Sequence, residues 1–271
     1  MPYCNFRNKK IYYRIEGKGK PVLLLHGFGE DGNIWNKQVD ALKKKNLLII
    51  PDLPGSGQSE MLDGNATLED YAEVIKVIAD ETVLMKEIEN QFCLIGHSMG
   101  GYITLAFAEK YSSFLNSFGL FHSSAYADTD EKINVRKKAI SFIKENGTEA
   151  FLKTMIPNLF SEESKKGQPE LIEQLFNISK NISPETLIQY YKAMIKRAAR
   201  ASVLKSFKNP VLFIIGKNDT VIPLESSLEQ CEIPSISTIH ILQHSGHMGM
   251  SEEENLSNEF LSDFFQNFLQ K

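Results

Sequence analysis

Phe92-Cys-Leu-Ile-Gly-His-Ser-Met-Gly-Gly-Tyr-Ile-Thr-Leu-Ala106 reads as a strand, a sharp turn and a helix with nothing between them. Phe92 to Ile95 is a short apolar run of the kind that fills a buried strand, and Tyr102, Leu105, Ala106 and Ala108 recur at helical spacing. A serine hydroxyl is a poor nucleophile unless it is held out of the sheet beside a base. A tight strand-to-helix turn does this only when its neighbours are small. Gly96, Gly100 and Gly101 supply that room, so Ser98 is the candidate nucleophile.

Outward from this turn the same rhythm repeats. Short β-rich runs at Leu47 to Ile50, Phe118 to Phe121, Val211 to Ile215 and Thr238 to Leu242 alternate with longer helical patterns, which predicts a parallel sheet covered on both faces. Ile11 to Ile15 and Val22 to Leu25 flank Glu-Gly-Lys-Gly-Lys-Pro, which predicts a hairpin leading into a buried strand. Thr67 and Asp70 form a capping box before a helix carrying Leu68, Tyr71, Ile75 and Ile78 on one face. The last helix, from about Glu252, opens on three acidic residues that suit the positive end of its dipole. Between Ser124 and Lys208 the alternation stops. Glu131 to Lys144, Glu149 to Ile156, Glu170 to Ile178 and Pro184 to Ala199 all look helical, so 124–208 is expected to be a helical insertion in a core made of 1–123 and 209–271.

Composition excludes more than it assigns. Thirty basic against 34 acidic residues leave a net charge of −4, too little to recruit nucleic acid or an anionic membrane. The first ten residues lack the apolar core of a signal peptide, and no run approaches the roughly 20 apolar residues that span a bilayer. Cys4, Cys93 and Cys231 are an odd set without a close pair, which favours a reducing cytoplasm.

A nucleophile needs a base, an orienting acid and an oxyanion site. His247, in the small-residue loop Gln-His-Ser-Gly-His-Met-Gly after the Thr238 to Leu242 run, can reach the sheet's carboxyl edge. Most of the other histidines, His122, His240 and His244 among them, are expected to be bystanders, His240 packing inside its strand, while His26 and His97 adjoin the candidate oxyanion amides and are expected to serve as scaffold. His244 and His247 lack the further ligands of a metal site at familiar spacing, so no metal is expected. Asp219, in Gly216-Lys-Asn-Asp219 after Val211 to Ile215, is the acid that leaves the same edge; Asp128, after the Phe118 to Phe121 run, is its rival. His26-Gly-Phe-Gly29 lets a loop fold back over that edge. The backbone N–H groups of Phe28 and Met99 are the candidate oxyanion donors, the latter at a helix N-terminus.

The order Ser98, Asp219, His247 is that of the α/β-hydrolases rather than of chymotrypsin or subtilisin. His26-Gly-Phe-Gly29, Asp52-Leu-Pro-Gly-Ser-Gly-Gln-Ser59, Gly96-His-Ser-Met-Gly-Gly101, Gly216-Lys-Asn-Asp219 and Gly246-His247 resemble that superfamily over nearly the whole chain. The resemblance implies an α/β-hydrolase fold with an eight-stranded, mostly parallel sheet, a helical cap at Ser124 to Lys208, and no cofactor. Trp35 matches an aromatic often found in such enzymes, and the Asp52 loop is expected to shape the scaffold. Serine at position 98 sets the chain apart from epoxide hydrolases and haloalkane dehalogenases, which use aspartate. The Gly-His-Ser-Met-Gly-Gly elbow is shared with small carboxylesterases and cofactor-free haloperoxidases. Bacterial stress-signalling hydrolases and plant butenolide receptors resemble His26 to Trp35 and Gly55 to Ser59. The expectation is a hydrolase of carboxylic esters of small or medium molecules; the alternatives are a triad-retaining ligand sensor, a carbon–carbon bond hydrolase and a lactonase. The cleft is expected to be largely apolar, with Arg197 and Arg200 on a solvated face.

Overall fold

A computed structural model describes residues 3–84 and 91–269. Eight strands make one sheet: β1 (Tyr3–Phe6), β2 (Lys9–Gly17), β3 (Lys20–Leu25), β4 (Asn46–Pro51), β5 (Phe92–His97), β6 (Leu115–Phe121), β7 (Val211–Gly216) and β8 (Ser237–Leu242). Their spatial order is β1-β2-β4-β3-β5-β6-β7-β8. The β1/β2 and β2/β4 pairings are antiparallel, and every pairing from β4/β3 to β7/β8 is parallel. Every residue of β5 and β7 is buried, as the unbroken apolar runs of central parallel strands require.

The predicted hairpin is corrected by this order. β2 and β3 do run in opposite directions, but β4 lies between them. The connecting glycines pass too close to the turn before β4 to carry side chains: a Cβ on Gly17 would lie 2.2 Å from Lys43 O, and one on Gly19 would lie 2.1 Å from Lys45 O. The link is thus wedged under the β4 approach, and β4 takes the pairing position beside each strand.

The helices are α1 (Asn36–Leu42), α2 (Leu68–Ala79), α3 (Met99–Tyr111), α4 (Asp130–Met155), α5 (Glu162–Gly167), α6 (Glu170–Ser179), α7 (Pro184–Ile195), α8 (Ala201–Ser206), α9 (Leu224–Cys231), α10 (Gly249–Glu252) and α11 (Glu254–Leu269). Both halves of the capping box before α2 are formed: Asp70 N–H donates to Thr67 Oγ1 at 3.3 Å and Thr67 N–H to Asp70 Oδ2 at 2.9 Å. Helix α3 is buried at every position from Met99 to Ala108, which is why its sequence is apolar all round rather than striped. No described helix is long and apolar enough to cross a membrane.

Between β6 and β7 the described chain holds α4 to α8 and no strand. Helix α7 is docked on the Asp52 loop. Tyr190 Oη meets Ser56 Oγ at 2.9 Å and donates to Pro54 O at 3.0 Å, while Gln189 Nε2 donates to Leu62 O and Gly64 O. The loop is itself braced by Asp52, whose carboxylate accepts the N–H groups of Gly32 and Gln58, both at 2.8 Å. Where the helices begin and end, Arg200 N–H donates to Ala125 O at 2.6 Å, and Gln230 bonds both Ser123 O and Ala125 N–H.

Arg197 and Arg200 are not on a solvated face; both are buried. Arg197 pairs with Asp128 at 2.7 Å and lies over the Tyr102 ring, and Arg200 pairs with Glu69 and Glu109. Their partners come from other elements of the chain, so local periodicity carried no sign of them. Trp35 is a packing residue, fully buried with its ring edge-on to Phe121.

Gly55 has φ +94°, and an added Cβ would sit 2.6 Å from Thr186 Oγ1 on α7. Replacing it by alanine is expected to destabilise the protein by about 2–3 kcal/mol through strain and displacement of α7. Urea unfolding of Gly55→Ala beside the parent measures this.

Candidate active site

Ser98 joins β5 to α3 with φ 51° and ψ −115°, a conformation that a residue with a side chain adopts only when its surroundings enforce it. The surroundings are backbone. A Cβ on Gly96 would lie 2.3 Å from Gly100 O, and one on Gly100 would lie 2.6 Å from His26 O, so the start of α3 packs directly onto β5 and the end of β3. Ser98 N–H donates to Phe121 O at 2.9 Å, and Ser98 O accepts from Ser123 Oγ at 2.7 Å.

His247 Nε2 lies 2.9 Å from Ser98 Oγ, and His247 Nδ1 lies 2.7 Å from Asp219 Oδ2. The tautomer that satisfies both contacts has Nδ1–H donating to the carboxylate and Nε2 accepting from the hydroxyl. Asp219 Oδ1 accepts the N–H groups of Val221 and Ile222, at 2.8 and 2.9 Å. Burial by itself would raise the Asp219 carboxyl; His247 and His122 beside it overcome that and hold it well below the usual carboxylate range. Asp128, the rival acid, is tied instead to Arg136 and Arg197.

The loop bearing His247 is held by Glu252, whose carboxylate accepts N–H from Gly246 (2.9 Å), Met248 (3.1 Å) and Ser161 (2.9 Å). Glu252 therefore ends α10 and braces the loop rather than complementing a helix dipole. His247 N–H donates to Leu159 O at 2.7 Å, which ties the candidate base to the segment after α4. His240 is half-buried and stacked on Phe260 at 4.0 Å, and His244 pairs at the surface with Glu163.

Three further groups at this edge carry more than the sequence reading gives them: it expects His97 only as scaffold, sets His122 aside as a bystander and gives Glu30 no role. His122 follows β6 at once with φ 49°, and its Nδ1 lies 3.4 Å from Asp219 Oδ2 while its Nε2 accepts the Gly249 N–H at 3.1 Å. Burial pushes its pKa down, against the pull of Asp219, which favours the neutral ring. Donor atoms of His122, Asp219 and His247 lie within 4.8 Å of one another, a spacing that would suit a cation; His247 Nδ1 is hydrogen-bonded to Asp219, and each His122 ring nitrogen faces a backbone N–H, Nδ1 that of Gly216 at 3.1 Å and Nε2 that of Gly249. Glu30 and His97 form a buried pair at 3.0 Å. Glu30 Oε2 also accepts Gly27 N–H at 2.6 Å, and His97 Nε2 donates to His247 O at 3.0 Å. The only advance signal was position: His122 ends a strand, and Glu30 and His97 adjoin the two glycine turns.

The loop at Gly27 packs against the serine, since a Cβ there would lie 3.1 Å from Ser98 Cβ. His26 fixes the loop by accepting Leu53 N–H at Nε2, 2.8 Å away. Neither Phe28 N–H nor Met99 N–H has a hydrogen-bond acceptor among the described residues, and Met99 opens α3, where the first amides have no partner within the helix. The Phe28 ring sits among Phe151, Tyr190 and Tyr191, closest to Tyr191 at 4.3 Å between centroids.

The Glu30–His97 pair links the Gly27 loop, the residue before Ser98 and the backbone of His247. Burial would raise Glu30 and lower His97, but each holds the other charged: Glu30 lies below its ordinary 4.5 and His97 above its ordinary 6.5. The Glu30 contribution is lost as pH falls through its lowered value, and the His97 contribution is lost as pH rises through its raised one. The pair therefore stabilises most between about pH 5 and 6.5. Glu30→Gln is expected to cost about 3 kcal/mol in that window and less at higher pH, and to bring the His97 titration down in an NMR pH series.

A sequence profile described as the alpha/beta hydrolase fold matches residues 20–254. The pimeloyl-(acyl-carrier protein) methyl ester esterase of Vibrio vulnificus strain CMCP6 is 23% identical over 260 residues, covering 93% of this chain and 97% of that protein. Among solved structures, a thermophilic esterase from Thermogutta terrifontis, with malate bound, superposes with a TM-score of 0.91 at 25% identity, over 98% of this chain and 97% of that one. The enol-lactonase from Burkholderia xenovorans LB400 follows with a TM-score of 0.89 at 21% identity, over 98% and 100%. With the profile spanning most of the sequence, the chain belongs to the alpha/beta hydrolase fold family.

Proposed function

We propose that this protein is a serine hydrolase that cleaves carboxylic esters, open-chain or cyclic, of small or medium molecules. The observation that carries the reading is the hydrogen-bonded run from Ser98 Oγ through His247 to Asp219, at 2.9 and 2.7 Å. Ser98 attacks the ester carbonyl while His247 Nε2 takes its proton. Asp219 keeps Nδ1 protonated and stabilises the imidazolium. The amides of Phe28 and Met99 receive the oxyanion, and the collapse of the tetrahedral intermediate passes the proton to the leaving alcohol. Water, deprotonated by His247, then releases the acid from Ser98. Residues 124–208 serve as a cap over this site, and the esterase and enol-lactonase among the similar proteins support the substrate class.

A fluorophosphonate probe is expected to label Ser98, read by mass spectrometry of the adduct peptide; folded protein left unlabelled overturns the reading. Ser98→Ala is expected to lower kcat on p-nitrophenyl butyrate by at least about 10³-fold. Asp219→Asn should lower it by about 10⁴-fold through the wrong His247 tautomer. Asp128→Asn should act mainly on stability, and a larger kcat loss there than in Asp219→Asn would exchange the roles of the two acids.

A further inference from the structure

Lys132 and Arg136 stand four residues apart on one face of α4, and each touches the surroundings of the reaction centre. Lys132 Nζ donates to Val221 O at 3.3 Å, two residues past Asp219. The Arg136 guanidinium lies 5.6 Å from the centre of the Tyr191 ring, and that ring is the one packed 4.3 Å from Phe28. One cation therefore adjoins the loop of the acid, and the other lies one ring behind the loop assigned to the oxyanion.

The acids around them do not balance the charge. Asp128 accepts from Arg136 Nε at Oδ2 (2.7 Å) and from Arg136 Nη2 at Oδ1 (3.3 Å), and its Oδ1 also pairs with Arg197 Nη1 at 2.7 Å, so one carboxylate is shared by two guanidiniums. Asp219, the other carboxylate felt by Lys132, is committed to His247 and His122. Among the described residues Lys132 has no carboxylate within ion-pair distance, and Arg136 Nη1 has no hydrogen-bond partner. Arg136 nonetheless has only 15% of its side chain exposed, and burial pulls the Lys132 pKa down, with Asp128 opposing. Excess positive charge that water reaches only in part is stabilised when an anion meets it, and a guanidinium with Nη1 free, one helical turn from an ammonium on the same face of α4, suits a carboxylate.

We propose that Lys132 and Arg136 bind an ionised carboxylate carried by the substrate, so that the preferred substrates are half-esters of dicarboxylic acids or lactones bearing an acid group. This rests on the ester-hydrolase reading for its chemistry but not for its recognition, and the two are separable. Monomethyl adipate and methyl hexanoate have the same chain length and differ in a terminal carboxylate against a methyl. Their binding to Ser98→Ala, measured by calorimetry, does not require turnover. The charged ester is expected to bind at least about tenfold more tightly, with the advantage shrinking as salt is raised. Lys132→Gln added to Ser98→Ala should remove much of that advantage, and adding Arg136→Gln should reduce it to within about threefold, with folding verified by circular dichroism. Equal or tighter binding of the neutral ester, no binding of the charged one, or an advantage that survives Lys132→Gln and Arg136→Gln overturns the proposal. Failure of the hydrolase reading looks different: Ser98 stays unlabelled and both esters stay intact, while the binding preference stands.

Discussion

At Ser98 the chain must pass from strand to helix in one residue with a positive φ, and the rest of the site is arranged around that constraint. The strain is tolerable because the turn is closed on every side by backbone. Gly96 and Gly100 let α3 lie against β5 and β3, and the amide and carbonyl of Ser98 are both engaged beside β6. What results is a hydroxyl standing clear of the sheet at the N-terminus of a buried helix. The same turn leaves the Met99 amide without an intrahelical acceptor, so the proposed nucleophile and a proposed anion-binding donor come from one local feature.

The remaining parts arrive from loops distant in sequence, and buried polar groups hold them in place. Glu30 and His97 join the Gly27 loop to the serine turn and to the His247 carbonyl; Glu252 gathers Gly246, Met248 and Ser161 around His247; His122 and two backbone amides surround Asp219. Each of these carboxylates accepts two or more hydrogen bonds, which is the condition under which buried charge is tolerated. Precision at the site comes from that set of bonds rather than from the apolar core beneath it.

Much of this was legible in the sequence because it is local. A strand followed by glycines and a helix is a pattern within fifteen residues, and it correctly located Ser98 at its turn; the capping box at Thr67 is likewise four residues long. His247 and Asp219 were legible as residues leaving strands at a common edge, and the bonds between them fit that placing. What depends on pairing across the chain was not legible. The insertion of β4 between β2 and β3, the burial of Arg197 and Arg200 by acids on other elements, and the bracing roles of Glu252 and His122 all require knowing which loop meets which. An acidic residue before a helix and an arginine after one look solvated until their partners are placed.

Helix α4 shows how one element divides its work over the site. At Gly147 the backbone leaves helical values (φ 80°, ψ 174°), so its two halves need not present a common face. The first half carries Lys132 and Arg136 beside the Asp219 loop and Tyr191. The second brings Phe151 against Phe28 and places Leu152 and Met155 about Gly29, where a Cβ would lie 3.7 Å from Met155 Cε. Charge therefore collects on one side of the Phe28 loop and apolar surface on the other. Helix α7 cannot make this division, because Thr186, Gln189 and Tyr190 are spent on docking to the Asp52 loop, and that docking fixes Tyr191 between the two halves of α4. Under the proposed function, a substrate with one polar and one apolar end would match such a wall in a single orientation, which would place its ester bond by its two ends rather than by contacts at the carbonyl alone.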